Sequence, residues 1–232
     1  DKVSFSVEPD EFVTIVGPSG CGKTTLIKIV AGIIPYSVGE ICLDGKRIEG
    51  PNPKIGMVFQ EPVLFPWRTV YDNVLLPIDV HKMPRANSHA RALELLNLVG
   101  LDGFEKCYPW ELSGGMQQRA SICRALVCDP EILLMDEPFG ALDAMTREQM
   151  NVWLQDLWLE SKKTIIFITH SIPEAVYLAD RVILLTERPG TVDEIYSIDI
   201  PRPRPLDVMN TDGFGYYVKA IRQKIKSSAS LD

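Results

Sequence analysis

Residues 11–34 read EFVTIVGPSGCGKTTLIKIVAGII, and this stretch decides the fold. A β-rich apolar run ends in a glycine-rich turn, and apolar residues then recur at helical spacing. Within it, GPSGCGKT (residues 17–24) fits the phosphate-loop pattern GxxxxGK[ST]. The residue types answer to the chemistry. Gly17, Gly20 and Gly22, with Pro18, Ser19 and Cys21 between them, let backbone N–H groups converge on phosphate oxygens with no Cβ in the way. The helix that follows turns its positive end to the same anion. Lys23 is the candidate for the β- and γ-phosphates, the Thr24 hydroxyl for Mg²⁺, and Thr25 for a further phosphate oxygen. A strand before the loop and a helix after it favour this reading over an ordinary glycine turn.

Outward from this stretch the chain alternates strands and helices. Val3, Phe5 and Val7 predict a strand joined to EFVTIVG by a turn at Pro9 and Asp10. Pro35 and Gly39 are expected to end the helix after the phosphate loop. EICLDGKRIEG (40–50) reads as a hairpin about Asp44 and Gly45, and KIGMVFQ (54–60) as a short strand. Pro62, Pro66 and Pro77 make residues 61–80 a loop with a short helix. Helices are expected over 86–99, with Ala92, Leu95, Leu96 and Val99 on one face, and from 116, with Met116, Ala120, Cys123 and Val127 in a stripe. EILLMDEP (131–138), TIIFITH (164–170) and RVILLTE (181–187) read as strands, and residues 144–160 and IPEAVYLA (172–179) as helices. IPRPRP (200–205) reads as a stiff extended linker before a basic helix over 214–226. The whole predicts an α/β fold with a largely parallel sheet.

Composition bounds the function classes. The chain has 232 residues, 46% hydrophobic and 24% charged, which excludes disordered and collagen-like proteins and is ample for one large domain with a core. A net charge of −7 disfavours a nucleic-acid binder. No apolar run approaches the roughly 18 residues of a membrane span, and no signal peptide is expected from the start of the chain. The five cysteines (Cys21, Cys42, Cys107, Cys123 and Cys128) contain no CxxC pair, which suits free thiols in a reducing compartment and disfavours a zinc site.

The remaining candidate site residues lie at strand ends. In a parallel sheet ligands sit at the carboxyl ends of strands, so Asp136 is placed to hold Mg²⁺ and Glu137 to position or deprotonate a water in line with the γ-phosphate. His170 and Gln60 also close strands. Taken alone, each is open between a structural strand end and a site residue; the Gln60 amide suits Mg²⁺ or the attacking water. LSGGMQ (112–117) starts a helix with Ser113 as its N-cap, and Gly114 and Gly115 leave N–H groups open to a second anion.

These motifs together resemble the ATPase subunits of ABC transporters. GPSGCGKTT resembles their Walker A, Gln60 their Q-loop, LSGGMQQR their signature and ILLMDEP their Walker B. Ala141, Leu142 and Asp143 resemble their D-loop, and His170 their switch histidine. The order and spacing match across nearly the whole chain. A GTPase base-reading NKxD motif, the paired cassettes of translation ATPases and the coiled-coil insertion of DNA-repair ATPases are not seen.

The resemblance implies a P-loop NTPase with a RecA-like core, a small antiparallel β lobe and a helical signature subdomain. Its expected bounds are 1–65 and 131–200 for the core with the lobe, 66–130 for the helical part, and 201–232 for a C-terminal linker and helix. It implies ATP and Mg²⁺ as cofactors, with Thr24, Gln60 and Asp136 at the metal and Glu137, Gln60 and His170 in catalysis. It also implies a head-to-tail dimer. There Ser113, Gly114 and Gly115 bind the γ-phosphate held by a second copy, and Asp143 couples the two sites.

Family members carry an adenine-stacking aromatic well upstream of the phosphate loop. Phe5 and Phe12 here read as core residues of strands, which leaves that contact unassigned. The run LFPW followed by TVYDNV (64–74), together with PFGALDAMTR and ERPGTV, resembles the nitrate/sulfonate/taurine importer branch. Phe65, Trp67 and Tyr71 read either as local packing or as the socket for a coupling helix of a membrane permease. The implied setting is the cytoplasmic face of a membrane, with a permease and a solute-binding protein and no nucleic acid. Nitrate, bicarbonate, sulfonates, cyanate-like anions and pyrimidine vitamin precursors all remain open as cargo. The basic residues Lys219, Arg222, Lys224 and Lys226 read as a solvated helix face or as a contact with lipid or permease.

Overall fold

A computed structural model describes residues 3–83 and 85–228. The ends of the expected 1–232 domain lie outside the described residues. Strands β1 (Phe12–Val16), β4 (Ile55–Val58), β5 (Ile132–Asp136), β6 (Thr164–Ile168), β7 (Arg181–Leu185) and β8 (Val192–Ser197) form one sheet in the order β4-β5-β6-β1-β7-β8. All neighbours are parallel except β7 and β8. The strands read as continuous apolar runs because both faces are covered. In β1, Phe12 and Val16 enter one core cluster while Val13 and Ile15 enter another on the opposite face, and all four are buried. The smaller cluster holds Ile27 and Ala31 from α1 (Lys23–Val30) and its C-terminal end. The larger is filled by α2 (Val70–His81), α3 (Arg85–Leu98), α4 (Gly114–Leu126), α5 (Ala144–Ser161), α6 (Ile172–Leu178) and α7 (Asp212–Ser228).

Helices α2, α3 and α4 pack on one another, with Ala92, Leu95, Leu96 and Val99 all buried as their spacing predicts. The hairpin β2 (Cys42–Leu43) and β3 (Lys46–Arg47) turns at Asp44 and Gly45, both at positive φ (51° and 72°) as a two-residue hairpin loop requires.

Several boundaries differ from expectation. The strand expected at Val3–Val7 forms no ladder: Phe5 and Val7 pack against the smaller cluster, but no described strand pairs with them. Among the described residues the separate antiparallel lobe is therefore the two-stranded β2–β3 hairpin, and β1 lies inside the main sheet between parallel neighbours. Helix α1 stops at Val30, short of Pro35, because Gly32 (φ 71°) takes the left-handed cap and Ile33 N–H bonds back to the Lys28 carbonyl at 2.9 Å. The proline-rich stretch 61–80 yields a three-turn helix. The Thr69 hydroxyl caps α2 by accepting from Asp72 N–H at 3.1 Å, and Pro77 is tolerated inside because Val74, Leu75 and Ile78 bury around it. Strand β8 was not expected, since its half-exposed edge position leaves no apolar run to read.

The largest correction concerns residues 200–205. They are no linker: Arg204 is 1% exposed. Its guanidinium donates to the carbonyls of Val176, Tyr177 and Ala179 (2.9, 2.9 and 2.8 Å), of Ile200 (3.0 Å) and of Ile198 (3.4 Å). Its own backbone is held by the Gln155 amide and the Tyr177 hydroxyl. The carbonyls left open at the end of α6 thus meet a buried cation. Burial, reinforced by neighbouring Arg202, lowers the Arg204 pKa to about 10, so it stays protonated at neutral pH.

Candidate active site

The phosphate loop leaves β1 and enters α1 through Gly22, which caps the helix at φ 105°. Gly20 and Gly22 both take positive φ, and a Cβ on either would point into open space, so the loop's inner face is bare backbone. A cleft of about 350 Å³ lies over it, lined by Ser19, Gly20, Gly22, Lys23, Thr24, Thr25 and Glu137. Lys23 Nζ bonds the carbonyls of Gly17 and Pro18 at 2.8 and 2.9 Å, which ties the ammonium to the loop. Gly17, Pro18 and Cys21 thus shape the loop from behind, and Cys21 is buried.

Thr24, in the wall of this cleft, donates its hydroxyl to the Asp136 carboxylate at 3.0 Å. Asp136 is buried, and burial raises its pKa, opposed by the Thr24 hydrogen bond and reinforced by Glu137. A buried carboxylate beside a hydroxyl is an oxygen donor pair that fits a hard divalent cation. The open glycine backbone, Lys23 and the positive end of α1 fit a triphosphate.

Glu137 stands at φ 45°, a left-handed conformation that a side-chain-bearing residue rarely adopts. Its N–H bonds Ile168 O at 3.0 Å, and its Oε2 lies 3.2 Å from His170 Nδ1. Glu137 and His170, expected separately from two strand ends, are therefore a contacting pair at the rim of the cleft. Gln60 lies two residues beyond β4, at the same end of the sheet, because Val58 pairs with Met135 next to Asp136. It is exposed and does not line the cleft. Of the three expected metal residues, the structure joins Thr24 and Asp136 and leaves Gln60 apart.

Ser113 caps α4 by accepting from Met116 N–H at 3.3 Å. Ser113 and Gly114 are exposed, and neither they nor Gly115 line the cleft of their own chain. Asp143 caps α5: its two oxygens accept from Thr146 N–H (3.0 Å) and the Thr146 hydroxyl (2.6 Å), bonds that also lower its pKa.

Three supporting residues escaped the reading of the sequence. Gln118, buried in α4, donates to the Phe59 carbonyl at 3.2 Å and so ties the signature helix to the peptide before Gln60. Glu174, buried in the first turn of α6, accepts from the Thr169 hydroxyl, which in turn accepts from Ser171 N–H at 2.9 Å. The side chain before His170 and the peptide after it are thereby tied together. Burial raises the Glu174 pKa against that hydrogen bond. Gly190 presses on the phosphate loop, where a Cβ would fall 2.3 Å from Cys21 O. An acid in a first helical turn or a glycine in a loop carries no sequence signal of such contacts.

A model of the ABC transporter family matches residues 1–140. The chain belongs to the ABC transporter family. This ABC cassette is 50% identical over 204 residues to an ABC transporter ATP-binding protein of Methanocaldococcus jannaschii, covering 88% of this chain and 76% of that one. It is 50% identical over 202 residues to a taurine import ATP-binding protein of Rhizobium johnstonii, covering 87% and 77%. It is 43% identical over 226 residues to an aliphatic sulfonates import ATP-binding protein of Bacillus cereus, covering 97% and 88%. Among solved structures it is similar to a dimeric ABC transporter cassette, with a TM-score of 0.74 and 35% identity over 86% of this chain and 90% of that one. A post-hydrolysis dimer of that kind, bound to ADP and phosphate, gives 0.73 and 34%, with the same coverage. As an ABC ATPase, the cassette binds and hydrolyses ATP.

Proposed function

We propose that this cassette is the motor subunit of an importer for a small sulfonate-type solute such as taurine, working through a separate membrane permease. One observation carries the reading. The cleft is lined by the phosphate loop and Glu137, with the buried Asp136 bonded to Thr24 and His170 in contact with Glu137, while the exposed signature N-terminus of the same chain does not line it. Each chain then offers half a site on each of two surfaces, which suits a head-to-tail dimer with ATP in between. The relatives named for taurine and aliphatic sulfonate import support the cargo class.

In this reading residues 17–25 cradle the phosphates, and Thr24 and Asp136, joined by Gln60, would hold Mg²⁺. Bound there, Mg²⁺ would supply positive charge against the charge developing on the phosphates. Glu137 takes a proton from the attacking water, and His170 orients Glu137 through the 3.2 Å contact. Ser113, Gly114 and Gly115 complete the partner's site, and Asp143 holds the start of α5 beside it.

The division into a core with a β lobe (1–65 and 131–200), a helical arm (66–130) and a C-terminal segment (201–232) is the expected working unit. The permease contact is assigned to the segment from Phe65 to Tyr71, the loop before α2 and its first residues. There Phe65 and Trp67 stack with centroids 5.1 Å apart and Trp67 is 70% exposed. Among the described residues no helix is long and apolar enough to cross a membrane. A permease, a solute-binding protein and a place on the cytoplasmic face of the membrane complete the system.

Ser113→Arg tests the sandwich. The variant is expected to bind ATP at its own phosphate loop with unchanged affinity but to stay monomeric by sedimentation. An ATP-driven dimer in this variant would show that the signature does not close on a partner.

A further inference from the structure

The surface beside Ser113 carries an aromatic feature that the reading above leaves unused. Pro109–Glu111 forms one 3₁₀ turn just before the signature. Tyr108 and Trp110 stack across it with ring centroids 4.6 Å apart and planes within 4° of parallel. Trp110 is 65% exposed and Tyr108 37%, so the pair offers a broad π surface to solvent. The pair is held firmly. Tyr108 N–H donates to the Glu111 carboxylate at 2.6 Å, and Pro109 is buried. The Gln117 amide, from the first turn of α4, donates to the carbonyls of Pro109 (2.9 Å) and Leu112 (3.3 Å). The rings therefore move with the helix end that carries Ser113.

A flat, exposed, rigid aromatic surface is the chemistry on which nucleobases stack. Trp110 precedes Ser113 by three residues, at most about 10 Å of chain. That reach is comparable with the ribose and phosphates separating a γ-phosphate from its base.

We propose that Trp110, backed by Tyr108, stacks on the adenine of the ATP held by a second copy of the chain. The proposal rests on the sandwich dimer described above. Because the ring belongs to the other subunit, it meets the base only on closure. It therefore strengthens the ATP-bound dimer without adding to the first binding of ATP by the phosphate loop. It also assigns one face of the adenine, which the core positions of Phe5 and Phe12 left without an aromatic.

The test uses the full chain carrying Glu137→Gln, so that ATP persists, with the dimer dissociation constant read by sedimentation. Trp110→Ala is expected to raise that constant at least tenfold, equivalent to 1.4 kcal/mol, and to leave monomer ATP affinity and thermal midpoint unchanged. Trp110→Phe should recover most of the dimer, while Trp110→Leu, apolar but without a π face, should behave like Trp110→Ala. An alanine variant that dimerises as tightly as its parent overturns the platform alone. Equal rescue by Leu and Phe also overturns it, since the ring would then pack on partner protein. A parent that stays monomeric with ATP removes the sandwich and this proposal together.

Discussion

Replacing Glu137 by Gln is expected to slow steady-state ATP hydrolysis about a thousandfold while ATP still binds. The geometry separates the two functions. Binding falls to the glycine backbone of the phosphate loop, Lys23 and Thr24, none of which touches the Glu137 carboxylate through a hydrogen bond. Gln keeps the size of the side chain and can still bond His170, so the local fold survives. It cannot accept a proton from water. Phosphate release and nucleotide binding, measured on the same sample, check the prediction. With ATP undegraded the closed dimer should accumulate. Brisk phosphate release by Glu137→Gln would remove Glu137 as the base and shift attention to His170, the other titratable group of the pair.

Arg204→Met is expected to destabilise the fold by about 3–5 kcal/mol, among the largest effects a single substitution produces. Met fills much of the same volume, so the loss isolates the guanidinium. Five backbone carbonyls accept from it, and three of them, on Val176, Tyr177 and Ala179, close the C-terminal end of α6. A buried carbonyl stripped of its donor keeps the cost of desolvation without the bond. For a chain of this size, the loss corresponds to a fall in thermal midpoint of roughly 10 °C. Arg204→Lys should recover little, because one ammonium cannot reach acceptors spread over five carbonyls. Denaturant and thermal midpoints test both variants. An unchanged midpoint for Arg204→Met would mean that α6 and the 198–204 segment hold together without it. Since α6 begins next to His170, a loosened variant should also hydrolyse ATP more slowly.

The phosphate loop was legible because its chemistry is local. Residues 17–25 must have those side chains, or lack them, for the backbone to cup an anion, so the pattern and its role coincide. Asp136, Glu137, His170 and Gln60 were legible by the strand-end rule, and the parallel sheet places all four at one end. What the rule could not give is contact: that Glu137 and His170 touch while Gln60 stands apart depends on how β5, β6 and β4 end relative to one another.

Arg204 was misread for a related reason. A run of alternating Pro and Arg looks solvated from composition, and only the carbonyls of α6, brought there by tertiary packing, turn that arginine inward. Helix α2 was shortened on the strength of its prolines, although burial of Val70, Val74 and Ile78 outweighs the single backbone bond that Pro77 forfeits.

The left-handed backbone at Glu137 carries a consequence for how such a protein changes over time. The conformation costs a residue with a Cβ about 1 kcal/mol or more, and glycine almost nothing. Drift or laboratory selection for heat resistance alone therefore pulls position 137 toward glycine, and selection for turnover pulls it back to glutamate. Lineages released from the demand to hydrolyse ATP should lose the carboxylate here early, and their cassettes should gain stability as they fall silent.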